Sequence, residues 1–343
     1  MSVYSASIAG NGQTCSARIL YTKTTDFPMI NNLIFSLNVT GPIFLLMLLG
    51  MFLHQIGLID DLFASRLNTF VFKLSLPVLL FQDLSVVDIS SAWDTRFVVY
   101  CFAATLISIG IAVLISYLLR EPDIQGEFIQ VSYRSSAALL GLALIQNIYG
   151  TTGMGPLMII GSVPLYNIMA VVVLNLFKPG TRGLSRKQIL GTLKGIITNP
   201  IILGVAAGLA AALLKISLPT ILNTTLSNVG RCATPLGLIA MGASFDIHQA
   251  ITRVKPTIIA SFLKLIGYEA LFLPLAVSMG FRKEALIAIM VMLGSATTVS
   301  CYVMAKNTGH EGVLTASVVM LTTCLSAFTL TGWLFILKMA GLV

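Results

Sequence analysis

KLSLPVLLFQ, Lys73 to Gln82, lies inside a long apolar run and yet carries a cation and, four residues on, a proline. RCATPLGLIA, Arg231 to Ala240, has the same order of cation, three residues and proline. What such a pair means depends on the solvent. Hydrophobic residues make up 56% of the 343-residue chain and charged residues only 10%, against about 25% in soluble domains. The composition is that of an integral membrane protein, and in lipid both motifs need an explanation.

Windows of about 20 apolar residues, enough to cross roughly 30 Å of hydrocarbon, fall at 31–56, 63–84, 97–119, 125–148, 156–177, 189–214, 224–245, 256–280, 284–305 and 312–337. The expectation is ten transmembrane helices joined by short connections, with residues 1–29, polar and without a signal-peptide core, as a disordered extension. The net charge of +8 is spread over the connections, which argues against nucleic acid binding. KPGTRGLSRKQ, residues 178–188, is the densest basic stretch. By the positive-inside rule it is a cytoplasmic loop and the N-terminus lies outside the cell membrane. Cys15, Cys101, Cys232, Cys301 and Cys324 show no CxxC spacing, so neither a disulfide framework nor a zinc site is indicated.

Displaced by 158 positions, residues 40–89 match 198–247 without a gap at Thr40/Thr198, Pro42/Pro200, Ile43/Ile201, Leu45/Leu203, Gly50/Gly208, Val71/Val229, Pro77/Pro235, Leu80/Leu238, Asp88/Asp246 and Ile89/Ile247. Shared apolar composition inflates such matches, but the matched prolines, glycine and aspartate and the Lys73/Arg231 pair are not explained by it. A displacement of 159 aligns SSAALLGLALIQNIYGTTG (135–153) with GSATTVSCYVMAKNTGHEG (294–312), pairing Ser136/Ser295, Ala137/Ala296, Gly150/Gly309 and Gly153/Gly312. Residues 30–177 and 189–343 thus read as two copies of a five-helix unit. Because five is odd, the second copy enters the membrane from the opposite side. Inverted repeats with a midplane site at interrupted helices are the plan of many secondary transporters.

LSLPVLLF, ITNPIILGV, RCATPLGLIAMGASF, YRSSAALLGLAL followed by YG, SCYVMAKNTG and LTTCLSAFTL resemble the auxin efflux carrier family, which includes plant exporters and bacterial malate or malonate carriers. The resemblance covers about residues 30–338. It implies an all-α membrane protein with a scaffold of spans 1, 2, 6 and 7 that often dimerises, here through helices 2 and 7. It also implies a mobile domain of spans 3–5 and 8–10, in which spans 4 and 9 cross where each is broken, commonly at proline. Ala143 and Cys301 stand at those positions here, Ser136 replaces a frequent asparagine and Ala296 a further proline. Gly141 and the hydroxyls of Ser295, Thr297, Thr298 and Ser300 can still permit a break, since Ser and Thr satisfy freed backbone groups. The resemblance therefore points to Ser135, Ser136, Gly141, Ala143, Asn167, Ser295, Thr297, Thr298, Ser300 and Cys301 as the substrate region. Pro77, Pro235 and Pro200 are the expected helix-break or hinge positions.

Lys73, Arg134, Arg231, Lys264 and Glu269 lie within the spans and Glu127 nearer an end. An ionised side chain at a bilayer centre costs about 2.5–3.5 kcal/mol on insertion scales, so each needs a partner, a wet cavity or a function. The excess of cations favours an anionic substrate. Lys73 and Arg231 can cap carbonyls freed by the prolines that follow, attract substrate or snorkel; neutralising either is expected to lower transport. Glu269 reads first as the partner of an intramembrane cation and second as a proton carrier. Tyr166 and Asn167 form a polar pair, with Ser326 the repeat mate of Asn167. His54, His248 and His310 sit near span ends without metal-ligand spacing.

No GxxxxGK[ST], HExxH or GxSxG occurs, which removes the motif support for nucleotide-driven pumping or an intramembrane enzyme. No cofactor or metal is expected. The reading is a secondary carrier of a small organic anion, a carboxylate of auxin or dicarboxylate type, working by alternating access and driven by membrane potential or a proton gradient. A gated anion channel and a transport-inactive receptor or regulator remain the alternatives.

Overall fold

In a computed structural model the described residues are 28–85, 93–137, 142–149, 153–180 and 198–343, and every regular element among them is helical. Helix α1 (Pro28–Gln55) opens with proline, whose missing N–H costs nothing in a first turn, and starts inside the stretch read as an extension. Residues 1–27 lie outside the described residues, as do Asp88 and most of the 178–188 loop. Helix α2 (Asp61–Ser85) begins at Asp60, whose carboxylate accepts from Phe63 N at 2.6 Å. Helices α3 (Thr95–Leu119), α4 (Gln125–Tyr133), α5 (Leu142–Tyr149) and α6 (Gly155–Leu176) complete the first half. The second contains α7 (Pro200–Leu213), α8 (Thr220–Arg231), α9 (Ala233–Ala243), the short α10 (Ile247–Thr252), α11 (Val254–Ser278), α12 (Lys283–Gly294), α13 (Ser300–Thr308) and α14 (Val313–Met339).

Among the described residues, α2, α3, α6, α11 and α14 are long and apolar enough to cross a membrane, while Thr40–Gln55 and Pro200–Leu213 are shorter apolar helices. Span 224–245 divides at Cys232, which keeps helical dihedrals, into α8 and α9. Two spans divide at extended backbone, 125–148 into α4 and α5 and 284–305 into α12 and α13.

The proline of the opening stretch is accommodated rather than fatal. Val71–Ser75 forms a π turn, with Leu76 N bonded to Val71 O. A proline ring clashes with the carbonyl four residues back, here Lys73 O. One extra residue in the turn just before it relieves that crowding, and the helix continues through Pro77 to Ser85. A second π turn, Leu263–Gly267, widens α11. It has no proline behind it, and its effect is on side-chain direction, described below.

Helix packing shows a reciprocity. Helix α1 packs on α9, and α7 packs on the end of α2. A β-carbon added to Gly50 would fall on the Ile239 backbone, and one added to Gly208 on the Phe81 backbone. Gly50 and Gly208 are repeat mates, as are Phe81 and Ile239 at the same displacement. The two close approaches therefore exchange when the two halves are exchanged. Small residues at such crossings let helix backbones meet in lipid, where dispersion rather than water exclusion supplies the attraction.

Glu127 ties the two halves together away from these crossings. It is buried in α4, and its carboxylate accepts Gly312 N at 2.8 Å, Thr315 N at 3.0 Å and Thr315 Oγ1 at 2.8 Å. These are orphan donors at the start of α14, and an acidic group is favoured there by the helix dipole.

Candidate functional site

The extended interruptions of spans 125–148 and 284–305 meet. α4 ends when Arg134 turns extended (φ −75°, ψ 130°), and α12 ends when Ser295 does the same (φ −69°, ψ 159°). Neither end is closed by proline. Backbone and side-chain groups from the opposite half supply bonds instead. Ser136 N donates to Ala296 O at 2.9 Å, Thr297 Oγ1 to Val131 O at 2.9 Å, and Gln130 Nε2 to Cys301 O at 2.9 Å. Thr297 N donates to Thr322 Oγ1 on α14 at 3.1 Å. Ser135 Oγ donates to Met292 O, which also accepts Tyr166 Oη at 3.0 Å. Where these bonds form, the irregular backbone is buried in protein and satisfied; elsewhere it lines a cavity, the other condition for its survival at membrane depth.

The position of the breaks differs from the sequence expectation. Ala143 and Cys301 both lie in the first turn of the helix that follows the interruption, α5 and α13. The chain leaves the helix earlier, at Arg134 and Ser295, because that is where opposing side chains can replace the lost ladder bonds. Gly141 lies outside the described residues.

A cavity of about 300 Å³ opens at this junction. Ser135, Ser136, Thr297, Thr298 and Ser300 line it from the two interruptions, with Asn167 and Tyr166 from α6, Leu76, Leu80 and Asp83 from α2, and Ala233 and Thr234 from α9. Cys301 and Ser295 are buried but do not line it. Arg134 does, with 2% of its surface exposed. Its Nη2 donates to Asn167 Oδ1 at 2.8 Å and to Ser300 Oγ at 2.9 Å, and Nη1 contacts Met304 Sδ at 2.8 Å. Nε is buried without a partner among the described residues. No ion pair to Arg134 forms among them.

Beside this guanidinium α13 begins. The N–H groups of Thr298, Val299 and Ser300, all at the cavity wall, have no acceptor among the described residues. A helix start of this kind favours negative charge. The arrangement concentrates fixed positive charge and free donors on one side of a largely apolar chamber. It can hold an oxyanion.

Lys264 and Glu269 stand behind the wall. Both are fully buried. Lys264 Nζ donates to Ser135 Oγ and to Leu293 O at the end of α12, where a cation meets the negative end of the helix dipole. Glu269 makes no hydrogen bond and no ion pair among the described residues. Lys73 and Arg231 are exposed and outside the cavity, and neither bonds a carbonyl among the described residues. Pro77 and Pro235 lie within α2 and α9, and Pro200 is the first residue of α7 behind the Asn199 cap, whose side chain accepts Ile201 N at 2.9 Å.

Sequence reasoning passed over Asp83 and Thr234. Asp83 was detectable as an acid ten residues after Lys73 inside the same apolar span; Thr234 carries no signal of its own.

The chain is similar to known transporters. Residues 39–334 match the profile of a family described as "Membrane transport protein". A Rhizobium meliloti protein named "Putative malonate transporter" is 24% identical over 289 residues, covering 80% of this chain and 88% of the relative. The apolar helices and this match identify a multi-pass membrane transporter rather than an enzyme, and the motifs around Pro77, Pro200 and Pro235 fall within the matched region. This chain belongs to the membrane transport protein family, the auxin efflux carrier family its motifs resemble.

Proposed function

We propose that the chain is a secondary carrier of a small organic anion, with the substrate's carboxylate seated against Arg134 and the start of α13. The observation that carries this reading is the Arg134 guanidinium, buried at the cavity wall with unspent donors and no ion pair among the described residues. A buried cation is costly unless paired, and an anionic substrate supplies the pair. A carboxylate accepts from an arginine fork and from backbone N–H groups together. The volume of about 300 Å³ suits a small dicarboxylate, and the named malonate relative is consistent with that class.

The architecture in this reading is ten transmembrane helices in two inverted five-helix repeats. The exchange of the Gly50–Ile239 and Gly208–Phe81 approaches supports a twofold relation between the halves. The cavity lies between α1, α2 and α9 on one side and the interrupted helices with α6 and α14 on the other. Sliding of one group against the other exposes it alternately. The protein works in the cell membrane with its N-terminus outside, and pairing through the second and seventh spans, 63–84 and 224–245, holds the scaffold still.

A thermal-shift screen of purified protein against dicarboxylates, indole acids and amino acids tests the substrate class. Stabilisation by dicarboxylates, lost in R134Q, is expected; stabilisation by cationic or neutral ligands alone would refute it. Channel-like conductance would favour the gated anion channel, and binding without flux the receptor.

A further inference from the structure

We infer that Glu269 is the proton-binding site that couples this carrier, resting on the anion-carrier reading above and naming its coupling ion. The carboxyl group is fully buried, and both oxygens lack a hydrogen-bond partner among the described residues. It lies against the backbone of Gly294, where any added β-carbon would overlap it. An ionised carboxylate cannot be kept in such a place unpaired, so the arrangement described is that of the neutral acid.

The nearest charge is Lys264. The π turn at Leu263–Gly267 brings positions five apart into line along the helix. Lys264 and Glu269 therefore both face the end of α12, one on Leu293 O and the other on Gly294. Other titratable groups face away or are engaged. Lys283 and Glu284 are at the opposite end of α12. Tyr268 Oη donates to Ser108 O at 3.1 Å, and Tyr100 of α3 donates to Phe272 O at 2.6 Å. On α14, Cys324 is exposed and Lys338 is in the last turn.

Lys264 also connects the acid to the cavity. Its ammonium holds Ser135 Oγ, a lining group, and the Leu293 carbonyl at the end of α12, so it pins the junction of the two interruptions. Loss of the Glu269 proton places a negative charge on the same face of the same helix, in a medium where charges act strongly. The ammonium then has a better partner than a neutral hydroxyl and carbonyl, and the junction is released. Ser295, whose hydroxyl is buried without a partner among the described residues, stands in the chain between Gly294 and the lining residue Ala296. It is placed to pass the proton toward the cavity. One proton bound at Glu269 thereby accompanies one anion bound at Arg134, with no other co-substrate.

Proteoliposomes loaded with malonate are given labelled malonate with and without an inward proton gradient, wild type beside E269Q, whose amide has the size of the neutral acid. Wild type is expected to accumulate label in response to the gradient; E269Q is expected to lose that response. An E269Q protein that responds as wild type does, or a wild type that exchanges malonate and ignores the gradient, overturns the proposal. Absence of exchange in wild type sinks the carrier reading instead. The proton site is then decided on wild-type protein by dicyclohexylcarbodiimide. The acid's O–H adds across its C=N bond, and the adduct rearranges to a stable N-acylurea. An adduct at Glu269 that fades as pH rises supports the site. No adduct there at any pH, or one indifferent to pH, overturns it, and this holds even if E269Q does not fold.

Discussion

Arg134 closes α4, reaches α6 through Asn167 and α13 through Ser300, and still has Nε unpaired among the described residues. Charge-assisted hydrogen bonds contribute about 1.5–3 kcal/mol each, so R134Q should weaken anion binding roughly 10- to 100-fold. R134K should not restore it, because an ammonium cannot span Asn167 and Ser300 while offering a planar fork. Titration calorimetry with malonate checks both variants. The sequence singled out Arg134 only as one of several intramembrane charges, and it weighed Lys73 and Arg231 more heavily because they repeat. That weighting could not be corrected from sequence. Exposure is decided by which face of α2 and α8 meets a neighbour, and the periodicity of an all-apolar helix does not reveal it. The cavity geometry moves the expected loss of transport from Lys73 and Arg231 to Arg134.

Among the elements, the paired interruptions matter most, and they were half legible. Gly141 and the hydroxyls at 295, 297, 298 and 300 marked where backbone groups could be freed. The point of departure from the helix was not legible, since it depends on Gln130, Thr297 and Ser135 reaching backbone more than a hundred residues away. T297V should therefore loosen the junction, removing the bond to Val131 O at about 0.5–1.5 kcal/mol, seen as a lower melting temperature with malonate affinity reduced in step. Glu127 offers a cleaner test of capping. E127A strips Gly312 N and Thr315 N of their acceptor, and a buried unsatisfied donor costs about 1–3 kcal/mol. Denaturation in detergent should show that loss, whereas E127Q should keep part of it through the remaining carbonyl oxygen.

At the scale of the whole molecule, the all-helical membrane class followed from composition, and the expectation of an internal repeat rested on prolines and glycines that apolar chance does not place. What the alignment could not show is that repeat mates meet each other's partners, Gly50 on Ile239 and Gly208 on Phe81. G208L should force α7 from α2 and cost about 1–3 kcal/mol or more, and G50L should do the same to α1 and α9, with similar losses in melting temperature if the halves are related by a twofold axis. The central claim is transport of a carboxylate through the junction those halves enclose. Its most direct test is malonate counterflow in proteoliposomes, wild type beside R134Q. Saturable exchange by wild type that collapses in R134Q is the predicted result; exchange undiminished in R134Q would contradict the account.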